Sequence, residues 1–163
     1  MAKPVRKGFS KALFEENDGQ AKRAARDLAA TFGLDEIVEN TQRYGIDLLG
    51  MSEGNVALGI EVEIKHGWKE GAFPFNTIHL PERKEKFCKE KMPVIFCILS
   101  KDLKQAAIFG KKTVLQAEKV EVPNRFVRSG EMFFDIPISE VRFVEIGSPF
   151  VKNLFKEIKE TAE

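Results

Sequence analysis

The sequence predicts an α/β fold, a central mixed β-sheet flanked by helices, and three observations predict it. Residues 10–32 place Leu13, Ala21, Ala24, Ala25, Leu28 and Phe32 mostly three and four positions apart, which is helical spacing. Two alternating runs meet at Ser52-Glu53-Gly54-Asn55, a turn sequence that makes them a β-hairpin. A helix-like stretch between Pro81 and Pro93 then leads into Val94-Ile95-Phe96-Cys97-Ile98-Leu99, an unbroken apolar run of the kind buried on both faces in mid-sheet.

Taken in order, the first helical segment is interrupted by Asn17-Asp18-Gly19, so one broken helix or two short ones fit equally, with Asp18 as a cap and Gly33 as the left-handed stop. Strands are expected at 36–41, 44–51 and 56–66. In the third, Val56, Leu58, Ile60, Val62 and Ile64 share one face, while Ala57, Gly59, Glu61, Glu63 and Lys65 share the other, because strand side chains alternate. A helix is expected at 81–91, with Pro81 in its first turn and Glu82 and Glu85 near its positive end. Strand, helix and strand in this order imply a crossover and a mixed sheet.

Beyond Ser100, shorter strands or extended pieces are expected at 105–109, 113–116 and 132–146, with Gly110-Lys111-Lys112 as a turn. Ser148 and Pro149 open a last helix carrying Phe150, Val151, Leu154, Phe155 and Ile158 as an apolar stripe. The 163 residues are read as one domain, 1–163, with a core at about 10–100 and additional strands and a helix at 101–163.

Composition narrows the function classes. Lysine and arginine number 26 against 25 acids, a formal net charge of +1, so no uniformly basic surface announces a polyanion partner. Cys88 and Cys97 are too few for a disulfide framework and have no zinc-like spacing, so both read as reduced thiols. The first residues lack a secretory apolar stretch, and nothing approaches the roughly 18 apolar residues of a membrane span, so a soluble, cytoplasmic protein is expected.

The residues that carry chemistry lie on the hairpin. Asp47 sits in Tyr44-Gly45-Ile46-Asp47-Leu48-Leu49-Gly50, and the hairpin brings it toward Glu63 in the paired arm. Magnesium takes oxygen ligands and keeps several waters, so two carboxylates and one main-chain carbonyl, that of Ile64, suffice. Such a cation lowers the pKa of a bound water and polarises a phosphate. Lys65 lies on the same strand face as Glu63, roughly 6–7 Å away, where it can orient and help deprotonate that water. The competing reading of Glu61, Glu63 and Lys65 is the solvated face of a hairpin.

Asp47 together with Glu63-Ile64-Lys65 resembles the PD-(D/E)xK nuclease superfamily, with its restriction-endonuclease-like αβββαβ core, over roughly residues 14–99. The resemblance implies a magnesium-dependent endonuclease acting on DNA, with manganese able to substitute. It implies Asp47 and Glu63 as metal ligands, Lys65 as the residue assisting the water, and Glu16 or Glu15 on the first helix completing the site. Ile46 stands where the name-giving proline would be, and Glu61 adds an acid, leaving an E-x-E alternative with Glu61 and Glu63 as the ligands.

Around this core, Arg83 and Lys84 are candidates for contacting the scissile phosphate or the nucleic-acid backbone. Lys111, Lys112, Arg125 and Arg128 are candidate phosphate contacts in loops. His66 and His79 read as structural before catalytic. Trp68, Phe73 and Phe75 either stack on an unpaired base or anchor their loop. A homodimer or higher homo-oligomer is expected, since cutting both strands takes two sites. The alternative is a non-catalytic nucleic-acid-binding or scaffolding module, which predicts binding without cleavage.

Overall fold

The computed structural model describes residues 11–42, 45–123, 130–147 and 154–163, with the side chains of 11–17, 31 and 154–157 outside the description. Helix α1 (Lys11–Ala29) runs without a break through Asn17-Asp18-Gly19. Lys22 reaches back one turn to Asp18 at 3.0 Å, a pairing that supports the helix across its weakest stretch. Ala21, Ala24, Ala25, Leu28 and Ala29 are buried on one face. A 3-10 turn (Ala30–Phe32) closes the helix, and Gly33 takes the expected left-handed conformation at φ 75°.

Strands β1 (Glu36–Glu39), β2 (Leu48–Ser52) and β3 (Asn55–Lys65) follow as an antiparallel meander. Its tight turn has Glu53 and Gly54 both at positive φ (51° and 78°), as a twisted two-residue hairpin requires. The register slips between Gly50 and Met51, and Val56 beyond the slip is exposed while Leu58 and Ile60 are buried.

Four expectations are corrected between here and the C-terminus. The segment read as the loop before a helix contains β4 (Thr77–Pro81), so Pro81 ends a strand. The helix expected at 81–91 is a 3-10 turn (Glu82–Lys84) and one turn of α-helix, α2 (Glu85–Cys88). After β5 (Val94–Ser100) and β6 (Gln105–Gly110), residues 113–116 belong to helix α3 (Lys111–Gln116), not to a strand. Strands β7 (Glu118–Val122), β8 (Glu131–Pro137) and β9 (Arg142–Glu145) follow, with a 3-10 turn (Ile138–Glu140) dividing the piece expected as one at 132–146. Helix α4 is described over Leu154–Ala162, whereas Ser148, Pro149, Phe150 and Val151 lie outside the described residues.

The main sheet has six strands in the order β1-β2-β3-β5-β6-β9, and a second sheet has three, β4-β8-β7. Within the main sheet β3 and β5 are parallel and the other pairs antiparallel, so it is mixed, as expected. All seven residues of β5 are buried. One face of the sheet (Leu48, Leu58, Ile60, Ile95, Cys97, Leu99, Ile108) packs with α1 and with Ile158 and Ala162 of α4. The other (Phe96, Ile98, Phe109) packs with Ile78 and Leu80 of β4, Phe134 and Ile136 of β8, Phe87 of α2, and Trp68. Gly110 lets α4 approach closely, because a Cβ there would run into the main chain of Thr161 and Ala162. Among the described residues no helix is long and apolar enough to cross a membrane.

Candidate functional site

Strand β3 outruns its partner. The β2 ladder ends at Leu48 opposite Ile60, while β5 accompanies β3 as far as Lys65 opposite Ser100. Among the described residues, 61–65 therefore have one edge with no strand paired to it, and Asp47 stands at the point where the ladder stops. Its carboxylate Oδ2 accepts the Val62 N–H at 2.8 Å, replacing the missing rung. Its own N–H points to Glu61 Oε2 at 3.3 Å.

Glu61 is only 7% exposed. Its second oxygen, Oε1, accepts a hydrogen bond from Lys84 Nζ at 3.1 Å. Burial pushes the Glu61 carboxyl up to about 7, with Lys84 pulling it down and Asp47 pushing it up further. The same ammonium lies 3.7 Å from Glu63 Oε2, beyond hydrogen-bond reach. That oxygen is shielded from solvent and has no hydrogen-bond partner, although the Glu63 side chain as a whole is 34% exposed. Lys84 itself is 13% exposed, held in place because the 3-10 turn after β4 sets it over the β3 face that carries Glu61 and Glu63.

These groups line one cavity of about 570 Å³ together with Val62, Ile64, His66, Arg83 and Asp18 of α1. The structure thus brings Asp47, Glu61, Glu63, Ile64, Arg83 and Lys84 together. The first helix contributes Asp18 to the lining, a residue read from sequence only as a cap. The signal available was its spacing of four from Lys22, whose ammonium is raised in pKa: burial opposes the shift, and Asp18, with smaller help from Asp47, outweighs it. The side chains of Glu15 and Glu16 lie outside the described residues.

Lys65 is not brought to this cavity. It lines a neighbouring one of about 450 Å³ with Pro74, Phe75, Asn76, Thr77 and His79. Lys111, expected as a loop phosphate contact, is instead buried, its ammonium donating to the main-chain carbonyls of Glu90 (2.8 Å) and Met92 (2.9 Å). That satisfies an ammonium with two neutral acceptors and leaves it turned inward. Lys112 beside it is exposed, Arg83 pairs with Glu131 at 3.4 Å on the surface, and Arg125 and Arg128 lie outside the described residues.

His66 is exposed at the cavity rim, and His79 pairs with Asp135 across the β4–β8 ladder at 3.2 Å. Trp68 is fully buried, its indole N–H bonded to the Gly71 carbonyl at 2.9 Å, so it anchors the loop.

Residues that would hold a divalent cation are present in kind: four carboxylates, those of Asp18, Asp47, Glu61 and Glu63, line one cavity, and Glu63 has a shielded oxygen with no hydrogen-bond partner. In the conformation described, Lys84 stands between two of them. Among the described residues no group of three or more His, Cys, Asp or Glu side chains is placed to hold a metal ion. Comparison of the chain with protein-family models and with curated proteins gives no match.

Proposed function

We propose that the protein is a metal-dependent nuclease of the PD-(D/E)xK type, hydrolysing phosphodiester bonds in DNA at the cavity where β3 outruns β2. The observation that carries the reading is the convergence of Asp47, Glu61, Glu63 and Lys84 on that one cavity. The order of elements in the main sheet supports it: a helix, an antiparallel three-strand meander, and a strand parallel to the third, reached through a crossover that holds β4, a 3-10 turn and the single turn of α2. Buried like charges are costly unless something uses them, and a strand pair needs only the Asp47 cap to close its ladder.

Asp47, Glu61 and Glu63 are the side chains that would hold magnesium, with the Ile64 carbonyl at the same cavity; this favours the E-x-E form of the motif. Once bound, the cation would supply charge for the phosphate and acidity for the attacking water. The chain's own groups do the rest. Lys84 Nζ, already shared by two glutamates, can turn to a phosphate oxygen and fix its orientation. Arg83 at the cavity edge can hold the next backbone phosphate. Lys65 lines the adjacent cavity, so the reading gives it contact with substrate rather than with the carboxylate cluster. Cutting both strands of a duplex would take two copies of the chain, so a homo-oligomer accompanies the reading.

The test is cleavage of supercoiled, linear, branched and single-stranded DNA in magnesium, in manganese and in chelator. Metal-dependent cutting is expected, lost by about a hundredfold or more in Lys84→Ala and in Glu63→Gln. Lys65→Ala should retain far more of the rate than Lys84→Ala. Wild-type protein inert on every substrate in both metals sinks the reading. Binding without cutting would instead favour a non-catalytic nucleic-acid-binding module, in which Lys84 neutralises Glu61 and Glu63 as a closed ion-pair network.

A further inference from the structure

The cavity beside the carboxylate cluster has features that neither the core nor the nuclease reading uses. Its wall is Phe75, 44% exposed on a loop. An exposed phenylalanine on a loop usually swings freely, but this ring is held. It makes an edge contact with Phe73 (5.5 Å between centroids), which in turn makes one with buried Trp68 (5.2 Å) and packs on Phe143 (5.6 Å). On another side lies Gly67, where a Cβ would come within 3.0 Å of the Phe75 ring. The backbone has made room for the ring to lie close.

Lys65 holds its ammonium over the Phe75 ring, 5.6 Å from the centroid, in cation–π range. Among the described residues Lys65 has no carboxylate in ion-pair range, unlike Lys84, which has two. Asn76 and Thr77 add hydrogen-bonding side chains, and His79 a second basic group. A held aromatic wall, a cation with no carboxylate partner among the described residues and an amide in about 450 Å³ suit a ligand that is flat and aromatic at one end and anionic at the other. Glu63 and Lys65 are neighbours on one strand face, so such a ligand would be continuous with a chain running past the carboxylates.

We propose that this second cavity seats one unpaired nucleotide, its base on Phe75 and its phosphate on Lys65, next to the phosphodiester held at Glu61, Glu63 and Lys84. The substrate class is then single-stranded or locally opened nucleic acid, because a base inside a duplex has no free face for the ring. The inference rests on the nuclease reading of the neighbouring cluster for its ligand chemistry, but its test does not depend on cleavage.

The experiment measures binding in chelator, by fluorescence anisotropy, of labelled oligothymidylate, oligouridylate and a duplex of matched length. Wild-type protein should prefer the single strands to the duplex. Phe75→Ala should weaken single-strand binding about tenfold and duplex binding less than twofold, with Lys65→Ala weakening the single strands by a similar factor. Phe75→Leu keeps the apolar bulk that a loop anchor needs but removes the π-face, so it should behave as Phe75→Ala in binding and as wild type in thermal melting.

Equal binding of single strands by Phe75→Leu and wild type overturns the inference, as does wild-type preference for the duplex. The two single-stranded probes separate a DNA from an RNA ligand. If the single-strand selectivity follows Phe75 while no substrate is ever cut, the nuclease reading fails and the nucleotide site stands. If duplex is cut equally by wild type and Phe75→Ala, the site fails and the nuclease reading stands.

Discussion

Two regions of the molecule bury a lysine, and they do so for different ends. At the start of α3, Lys111 is 7% exposed and gives two of its three protons to the Glu90 and Met92 carbonyls. Its acceptors are neutral main-chain carbonyls, so the ammonium fastens the end of the α2 crossover to α3. At the open edge of β3, Lys84 faces two carboxylates, bonds one and stops short of the other, leaving a shielded oxygen unpartnered. Burial against neutral acceptors that are all hydrogen-bonded marks a structural fastening; a shielded carboxylate oxygen with no hydrogen-bond partner is the kind of group that needs a further explanation.

Substitution should separate the two. Lys111→Met takes the ammonium from the Glu90 and Met92 carbonyls, and a loss of about 2–4 kcal/mol of stability is expected, the same at pH 6 and pH 8 because its acceptors are main-chain carbonyls. Urea unfolding at the two pH values measures it. Lys84→Met should be pH-dependent instead. Glu61 loses the charge that holds its carboxyl down, so it stays protonated at pH 6 at little cost but must ionise unpaired or hold its proton against solvent at pH 8. The destabilisation should be greater at pH 8 by about 1 kcal/mol or more. A flat response would mean that Glu61 and Lys84 are not coupled.

Glu61 sharpens the same contrast from the acid side. Its folded carboxyl titrates at about 7 against an ordinary 4.5, so between those values the folded chain holds a proton that the unfolded chain releases. That contribution to stability is complete below the ordinary value and is lost as pH rises through about 7. Glu61→Gln removes it, and the stability of the variant relative to wild type should improve by on the order of 2–3 kcal/mol between pH 4.5 and pH 8. Chemical denaturation across that range gives the slope. Smallest of all, Arg83→Ala breaks a solvent-exposed pair with Glu131 and should change stability by no more than about 0.5 kcal/mol, whatever it does to substrate binding.

What could be read from the sequence was whatever is encoded locally. The hairpin turn at Ser52–Asn55, the apolar strand β5, the left-handed Gly33 and the mixed character of the sheet all follow from neighbours in the chain. Strand β4 did not, because its partner β8 lies more than fifty residues away and Pro81 at its last position argues for a helix start. Helix α3 was hidden by Thr113-Val114-Leu115, which read as a strand on composition alone.

The candidate site divides in the same way. Asp47, Glu61 and Glu63 were visible because strand alternation and a tight turn place them, and Lys84 was visible only as a charge near the strand ends. That it reaches Glu61, and that Lys65 faces a different cavity, depends on how the β4 turn docks on the main sheet. No local pattern records that docking.

The overhang of β3 has one more consequence. A strand border left open inside a sheet invites another chain to lie against it, the commonest route from a folded protein to an aggregate. Here the Asp47 carboxylate plugs the first vacant position at Val62, and acidic residues flank it on either side along the strand. The charges that make this border a candidate for chemistry also guard it against association. Replacing several of them at once with apolar residues would expose that border to a second chain, so variants of this cluster are best made one at a time, with the isosteric amide.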